Sequence, residues 1–385
     1  MNSRFVRPLV QLTAVTSLIL VAVCAQAQIK IGFHAPLTGP SASDGKAAEV
    51  GVQIAFDAIN AKGGVLGKKL ELVSYDDQGK ADQAIPLANK LIGQDKVVVA
   101  ISGGYSLPTR AAAGVFQKAG IPYFAAYAVH PDVTTGGDFA FRGVPLAQPQ
   151  GAVAADFIAS EFGKKKVALL SMDNDFGQAI VEGFKAAAPK LGLSTTKDFF
   201  FSLSERQFGP MIAGLKAEHP DVIFITAYYF VGGPLVTQLR AAGLTQPIVG
   251  AQAFDASQFV SIAKQAAEGV YVVNALARDS KDPDYETFKT EFVKRAGFDV
   301  ESVGALSYDA AMMVADAIKR ASSEDPKKIR DALATTRNFK GLMGTMHEFS
   351  PTGEIYMPIE ITKISNGIQK HYKTIDDAAL LKPAK

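Results

Sequence analysis

The chain is nearly free of cysteine. Cys24 is the one cysteine among 385 residues, and it lies in a stretch that we predict is removed. Two arginines precede an apolar run, Leu9–Val23, and Ala25-Gln26-Ala27 then offers the small-x-small pattern of a leader cleavage site. We therefore predict a secretory signal peptide at residues 1–27. The mature chain then has no disulfide, no thiolate nucleophile and no cysteine-based metal site.

Apolar runs long enough to span a membrane are also lacking in the sequence. The run in the leader is short and interrupted by polar residues, so a membrane anchor is the weaker reading. A lipid anchor on Cys24 would need a small residue just before it, and Val23 is a poor one. We expect an exported, soluble protein.

The chain shows no excess of charge of either sign. Its 40 basic residues include Arg4 and Arg7 of the leader, so 38 basic residues face 38 acidic ones in the mature chain. A net charge near zero gives no support to nucleic-acid binding or to an anionic membrane surface. Hydrophobic content of 48% with 20% charged residues is typical of a folded globular protein.

Catalytic motifs are missing as well. The sequence has no Gly-x-Ser-x-Gly nucleophile elbow, no Walker loop and no Gly-x-Gly-x-x-Gly after a strand. Its histidines are not spaced as metal ligands; they are His34, His130, His219, His347 and His371. Asp76-Asp77 could be a pair of catalytic acids, but we interpret it as a turn cap. We expect no enzyme activity, no metal and no cofactor.

Strands and helices alternate along the chain from Gln28. Apolar strands such as Ile29–Ala35, Val97–Ile101 and Val222–Ala227 are each followed by a helical pattern. This rhythm predicts an α/β fold with two doubly wound parallel-sheet lobes and a ligand cleft between them. We assign residues 28–145 plus 276–353 to an N-terminal lobe and 146–275 plus 354–377 to a C-terminal lobe. Residues 378–385 remain as a tail.

A Ser-Gly-Gly turn follows the strand that ends at Ile101. Ser106-Leu-Pro-Thr109 then opens a helix, whose first N–H groups face the region beyond the strand end. Hydroxyls on both sides of Gly103-Gly104 make this turn a candidate seat for a carboxylate. The alternative is an ordinary strand-to-helix turn with a serine cap.

Several motifs resemble the leucine/isoleucine/valine-binding protein family. They are Leu37-Thr-Gly-Pro40, Asn60-Ala-Lys-Gly-Gly64, Tyr75-Asp76-Asp77, the Ser-Gly-Gly turn and Arg240-Ala-Ala-Gly-Leu244, in the family's order over about 28–372. The resemblance implies a periplasmic solute receptor that delivers its ligand to an inner-membrane ABC permease. It also implies a three-strand hinge, with crossings near Gly143–Leu146, Asn274–Arg278 and Gly353–Met357.

The resemblance also implies which residues bind the ligand. In the first lobe the ligand carboxylate would meet the turn formed by Ser102, Gly103, Gly104, Tyr105 and Ser106. A second strand end would add Tyr127, Ala128 and Val129. In the other lobe Tyr228 matches a family tyrosine, and Tyr229 or Phe230 could line the cleft as well.

Gln252 departs from the family pattern. Amino-acid binders of the family place a Glu there to pair with the ligand ammonium, whereas Gln is neutral. Asp255 could replace that acid. Tyr105, Tyr127, Tyr228 and Phe254 would supply an aromatic wall suited to a planar ring.

We therefore favour a monomeric receptor for a small aromatic carboxylate, such as a benzoate, a phenylpropenoate or an aromatic 2-oxo acid. The alternative ligand is a branched-chain or other hydrophobic amino acid. A ligand-responsive regulator would carry a DNA-binding or membrane segment, and a secreted hydrolase would need a nucleophile–base pair. Neither feature is found in the sequence.

Overall fold

The structure is a computed structural model that describes residues 28–163, 165–276 and 278–382. The predicted signal peptide and Cys24 lie outside the described residues. Within the described part of the chain, no helix combines the length and the apolar character needed to cross a membrane.

The first lobe is built on a parallel sheet. Its strands are β1 (Gln28–Ala35), β2 (Lys69–Asp76), β3 (Val99–Ser102), β4 (Tyr123–Ala125) and β5 (Ala140–Arg142). They lie in the order β2-β1-β3-β4-β5. The connecting helices are α1 (Ala42–Ala61), α2 (Ala81–Lys90) and α3 (Ser106–Ala119).

The second lobe repeats the alternation of strand and helix. Its helices are α4 (Ala147–Phe162), α5 (Asp175–Ala187), α6 (Gly209–Glu218), α7 (Tyr229–Ala241) and α8 (Ser257–Ala263). Its parallel strands are β6 (Lys166–Met172), β7 (Ser194–Thr195), β8 (Phe199–Phe201), β9 (Val222–Thr226), β10 (Ile248–Gly250) and β11 (Tyr271–Asn274). The buried apolar strands of both lobes form the core.

Three helices then return to the first lobe. They are α9 (Pro283–Ala296), α10 (Ser302–Ala321) and α11 (Pro326–Ala334). Helix α10 packs on α1 where Gly51 meets Gly304, and a Cβ on Gly51 would lie 2.1 Å from the Gly304 carbonyl oxygen. Only glycine permits this close approach, which brings the first turn of α10 to the strand ends.

Antiparallel strands complete both lobes. A small separate sheet contains β12 (Arg337–Gly341), β13 (Gly344–Phe349) and β14 (Ile355–Tyr356). Strand β15 (Ile359–Ser365) pairs antiparallel with β11, and β16 (Ile368–Ile375) pairs antiparallel with β15. The second sheet therefore has the order β16-β15-β11-β10-β9-β6-β7, and β8 pairs with β6.

The chain passes between the lobes three times, and this confirms the predicted two-lobe α/β architecture. The passages follow β5, β11 and β14, close to the three predicted crossings. That these segments act as hinges stays a prediction, and so do the residue boundaries of the lobes.

Two local features were not predicted. Strand β5 contains Phe141, and α4 already begins at Ala147. A strand of only three residues gives too short a pattern to detect. The predicted tail contains a further helix, α12 (Ala378–Leu381), because the Asp377 carboxylate caps its first turn and Leu381 is buried.

Candidate functional site

The carboxyl ends of the strands of both lobes face one cleft, which encloses a small cavity. Six of the residues predicted for the site line this cavity: Tyr105, Ser106, Tyr127, Ala128, Tyr228 and Gln252. The remaining lining residues were not predicted: Asp44, Phe176, Ala253, Ser302, Val303 and Leu306. The site therefore has contributions from both lobes, as expected for parallel α/β sheets.

Of the predicted carboxylate turn, residues 102–106, only Tyr105 and Ser106 line the cavity. The Ser102 hydroxyl is fully buried, hydrogen-bonds the Thr109 hydroxyl at 2.7 Å and accepts the Gly104 N–H at 3.1 Å. A Cβ on Gly103 would lie 2.4 Å from the Phe33 ring. Ser102, Gly103 and Gly104 therefore shape the turn from behind, and a direct contact with ligand from them remains only a prediction.

The strand end after β4 forms the neighbouring wall. The Tyr127 hydroxyl donates to the Gly103 carbonyl at 2.6 Å, which ties this wall to the turn. The Ser106 hydroxyl accepts the N–H groups of Val129 and His130, each at 3.3 Å. Val129 is fully buried behind the cavity, whereas Tyr127 and Ala128 line it.

Aromatic rings from the two lobes meet face to face. The Tyr105 ring stacks on the Tyr228 ring with a centroid distance of 4.1 Å and an interplanar angle of 10°. Phe176 stacks on the other face of Tyr228 at 4.9 Å, and Tyr127 meets Tyr105 edge-on at 6.2 Å. The predicted aromatic wall is thus formed by three tyrosines and by Phe176, which the sequence did not reveal.

The tyrosine stack separates two spaces in the cleft. The inner cavity measures about 30 Å³, room for about two water molecules. The outer cleft measures about 570 Å³ and is lined by the same two tyrosines together with Phe230, Leu107 and other residues. A ring-bearing ligand is larger than the inner cavity, so it fits there only if the walls move apart.

Gln252 bridges the lobes from the second side. Its amide Nε2 donates to the backbone carbonyl of Tyr127 at 3.3 Å, so its side chain faces the cavity at the first lobe's wall. The Tyr229 hydroxyl makes a further bridge to the Pro40 carbonyl at 3.1 Å.

Phe254 takes no part in the cavity wall. It follows Gln252 in a short 3-10 turn that directs its ring into the core, where the ring stacks on Phe259 at 4.2 Å and is fully buried. In an extended strand Phe254 would point to the same side as Gln252, but the 3-10 turn changes the direction of its side chain.

Asp255 does not replace the missing acid. Its carboxylate accepts the Arg278 Nε at 2.8 Å and the Ser302 N–H at 2.8 Å. An oxygen pair committed to a buried guanidinium and a helix N–H is not free for a ligand. Glu301, the residue before Ser302, also has a structural contact: its carboxylate accepts the Ser257 N–H at 2.9 Å.

Asp44 is the acid that the sequence did not single out. It lies in the first turn of α1, is 4% exposed and accepts the Tyr105 hydroxyl at 2.6 Å. Burial raises the pKa of this carboxyl to about 7, against the lowering effect of the Tyr105 hydrogen bond. The signal was present: Ser41-Ala-Ser-Asp44 follows the first strand and opens a helix at the cleft.

Asp76 and Asp77 are structural, as the turn-cap interpretation predicted. The Asp76 carboxylate accepts the N–H groups of Leu37 at 2.9 Å and Gln78 at 2.8 Å. Asp77 hydrogen-bonds His34 Nδ1 at 2.7 Å, and His34 Nε2 contacts the Tyr123 hydroxyl at 2.6 Å. These buried groups lie under the cleft and hold its strand ends together.

Residues 28–163, 165–276 and 278–382 contain no cluster of histidines and acids that could bind a metal.

Helix N-termini supply the positive end of the site's electrostatics. Helices α3 and α10 begin at the cavity, at Ser106 and Ser302, and α7 begins at Tyr229, directly after the cavity residue Tyr228. The N-cap residues Tyr105, Tyr228 and Glu301 make no side-chain cap on these helices, although the Asp255 carboxylate accepts the Ser302 N–H of α10. Such N-termini favour a negatively charged ligand group.

Two α/β lobes with their strand ends on a shared cleft define the class of two-lobe solute-binding proteins. The family model described as periplasmic binding protein matches residues 28–369, and the chain belongs to this family. It is a periplasmic solute-binding protein of the kind that serves ABC transporters.

Relatives and solved structures agree with this assignment. A Leu/Ile/Val-binding protein from Rhizobium johnstonii is 29% identical, with 86% of this chain and 90% of the relative covered. The crystal structure of a leucine binding protein from Thermotoga maritima matches with a TM-score of 0.86 and 27% identity, covering 91% of this chain and 99% of that one. A Rhodopseudomonas palustris solute binding protein in complex with 3,4-dihydroxybenzoic acid shares the fold at a TM-score of 0.81 and 24% identity, with coverage of 91% and 97%.

Proposed function

We propose that this protein is the monomeric receptor of an ABC importer and that it binds a small carboxylate in the cleft between its lobes. The observation that carries this proposal is the convergence of six predicted residues from both lobes on one enclosed cavity. The leader would direct the chain to the periplasm, where an inner-membrane permease would take over the ligand.

The carboxylate of the ligand would lie at the first turn of α3. Ser106, the first residue of α3, lines the cavity, and the N-cap residue Tyr105 makes no side-chain cap on this helix. No lysine or arginine among the described residues lines the inner cavity, so helix N-termini supply the attraction for the anion.

The ring of the ligand would insert between Tyr105 and Tyr228. These rings already lie at stacking distance, and each belongs to a different lobe. An aromatic acid of the benzoate, phenylpropenoate or 2-oxo acid type would separate the two rings. The single contact between the tyrosine rings would then be replaced by two contacts, one between each tyrosine and the ligand ring. The neutral Gln252 beside the cavity supports the same class of ligand.

A hydrophobic amino acid is the second candidate. The relatives favour it, since they include Leu/Ile/Val-binding proteins. Buried Asp44 also favours it, because this carboxyl could accept a hydrogen bond from the amine of the ligand.

Closure of the lobes would complete the site. Three cross-lobe contacts support this view: the Tyr105–Tyr228 stack, the Gln252 bridge to Tyr127 and the Tyr229 bridge to Pro40. A ligand that contacts both walls stabilises the closed form and shifts the equilibrium between open and closed protein toward it.

A thermal-shift screen tests the proposed function. The mature chain is heated with leucine, valine, phenylalanine, benzoate, 4-hydroxybenzoate, p-coumarate or phenylpyruvate. A ligand that binds only the folded state raises the melting temperature according to RT ln(1 + [L]/Kd). We expect a clear increase with at least one ring-bearing carboxylate; no increase with any of the seven would contradict the proposal.

A further inference from the structure

One buried oxygen in the cavity is without a hydrogen bond. The Asp44 carboxyl lines the cavity, and its Oδ2 accepts the Tyr105 hydroxyl at 2.6 Å. Its Oδ1 is buried and has no partner among the described residues. Buried acceptors in folded proteins are almost always hydrogen-bonded, so an unpartnered one that faces a binding cavity points to a donor from a ligand.

The charges around Asp44 favour a cationic donor. Asp255 and Glu301 lie close enough to add to the negative potential at Asp44 and at each other. The one cation of this group is Arg278, and its guanidinium is bound to Asp255. Arg278 already compensates Asp255, so no cation of this group is left for an ionised Asp44. A cationic donor from the ligand would supply that charge, whereas a neutral hydroxyl would not.

Asp44 also lies where it can serve a ligand held by the rest of the site. The Tyr105 ring that would stack on the ligand carries the hydroxyl bound to Asp44. Ser302, at the start of α10, lines the same cavity. If the ligand ring stacks on Tyr105, a polar group next to the ligand ring lies within reach of Asp44.

We propose that Asp44 is a specificity-determining residue that accepts a hydrogen bond from a protonated amine of the ligand. The acid that position 252 lacks is supplied from the opposite lobe, and the ligand is a carboxylate that also carries an amine. This inference rests on the proposed carboxylate receptor and selects the amino acid, the second of its two candidate ligand classes. Together with the tyrosine stack, it makes an amino acid with a planar side chain the ligand class that satisfies all described walls.

Matched ligands test this inference by isothermal titration calorimetry. L-phenylalanine and 3-phenylpropanoate share the ring and the carboxylate and differ by the amine; L-leucine and 4-methylpentanoate form a second pair. We expect the wild-type protein to bind the amine member of at least one pair tighter by about tenfold or more, as a charge-assisted bond provides.

The variant Asp44→Asn should remove most of that preference. Its affinity for the amine member is expected to fall by about tenfold, with about threefold change or less for the amine-free member. Asp57→Asn is the matched control, because Asp57 lies on the same helix but is exposed and paired with Arg295. The control should bind both members as the wild type does.

Each remaining result has one meaning. Equal or tighter wild-type binding of the amine-free acids would overturn the role of Asp44 and leave the carboxylate receptor standing. An unchanged preference in a folded Asp44→Asn chain would also overturn it. If Asp44→Asn does not fold, proton release by the wild type on binding phenylalanine, measured in two buffers at pH 6.5, replaces the variant, and no release overturns the inference. Failure of all four ligands to bind would overturn the role of Asp44, whereas the proposed function is decided separately by the thermal-shift screen with seven ligands.

Discussion

The Tyr105 ring lies flat against the Tyr228 ring, 4.1 Å between centroids, although the two residues belong to different lobes. Tyr105 precedes α3 at the end of β3, and Tyr228 precedes α7 at the end of β9. The same structural position in two βα units thus places one ring on each wall of the cleft. The pair closes the inner cavity and offers two faces to a planar ligand.

Loss of one ring should therefore weaken ring-bearing ligands selectively. Tyr228→Leu keeps an apolar side chain but removes the stacking face, and we expect roughly three- to tenfold weaker binding of a ring-bearing ligand. Binding of an aliphatic ligand should change less. Calorimetric titration with phenylalanine and leucine measures the difference, and Tyr372→Leu, on exposed β16, is the control. Equal loss for both ligands would assign the rings to lobe closure and not to ligand stacking.

Much of this cleft could be predicted from sequence because parallel strands end at a common edge. Ser106, Tyr127, Tyr228 and Gln252 all follow predicted strands, and the fold brings all four to the cavity. The pattern of strands and helices also sufficed to predict two lobes. Local sequence therefore locates those residues whose position depends on one strand alone.

The remaining positions depend on packing that local sequence does not show. Val303 and Leu306 reach the cavity only because α10 returns to the first lobe and packs on α1 at the Gly51–Gly304 contact. Phe254 looked like a wall residue, but a 3-10 turn rotates it into the core. Ser102 looked like a ligand contact, but Thr109 and Gly104 already occupy its hydroxyl.

Gln252→Glu should weaken binding of an amine-free aromatic acid such as benzoate. The amide Nε2 now donates to the Tyr127 carbonyl; a carboxylate would remove this donor and repel both the carbonyl and the anionic ligand. We expect about tenfold lower affinity. Gln265→Glu, at an exposed position of the same lobe, controls for the added charge. An affinity equal to that of the wild type would place the side chain at 252 outside the binding contact.

Binding of an amine-bearing ligand should strengthen as the pH rises through neutrality. Burial raises the pKa of Asp44 to about 7, and burial together with the Asp44 charge raises the pKa of Glu301 to about 8. The other groups that face Asp44 are the hydroxyls of Tyr105, Tyr127, Tyr228 and Tyr229, the Asp255 carboxylate and, through Asp255, Arg278. With this pKa, Asp44 is expected to be mostly protonated in the free protein below pH 7, whereas a bound amine would hold it ionised.

The sign of the effect follows from this difference in bound protons. Below pH 7 the ligand must displace a proton, so the affinity for phenylalanine falls by up to about tenfold for each pH unit. Ionisation of Glu301 at higher pH acts in the same direction, since it adds negative charge. Titrations at pH 5.5, 6.5 and 7.5 should show this increase for phenylalanine and no increase for 3-phenylpropanoate. A flat profile for phenylalanine would mean that Asp44 does not change its protonation on binding and would contradict this prediction.

The loop that lines the cavity at Ala128 depends on a buried ion pair. Arg142 is fully buried; its Nε donates to Glu354 at 2.6 Å, and its other nitrogens donate to the carbonyls of Ala128 and His130. Glu354 also accepts the Thr134 hydroxyl. One guanidinium thus joins the end of β5, the cavity loop and the segment before β14.

Glu354→Ala should destabilise the protein strongly because it leaves the Arg142 charge buried without a counterion. We expect a loss of about 3–5 kcal/mol in the free energy of unfolding. The exposed pair of Asp57 and Arg295 provides the comparison, since Asp57→Ala should cost at most about 1 kcal/mol. Urea unfolding followed by circular dichroism gives both values from midpoints and slopes. If Glu354→Ala unfolded at the wild-type midpoint, the guanidinium would have to find water or another acceptor, and the cavity loop would not depend on this pair.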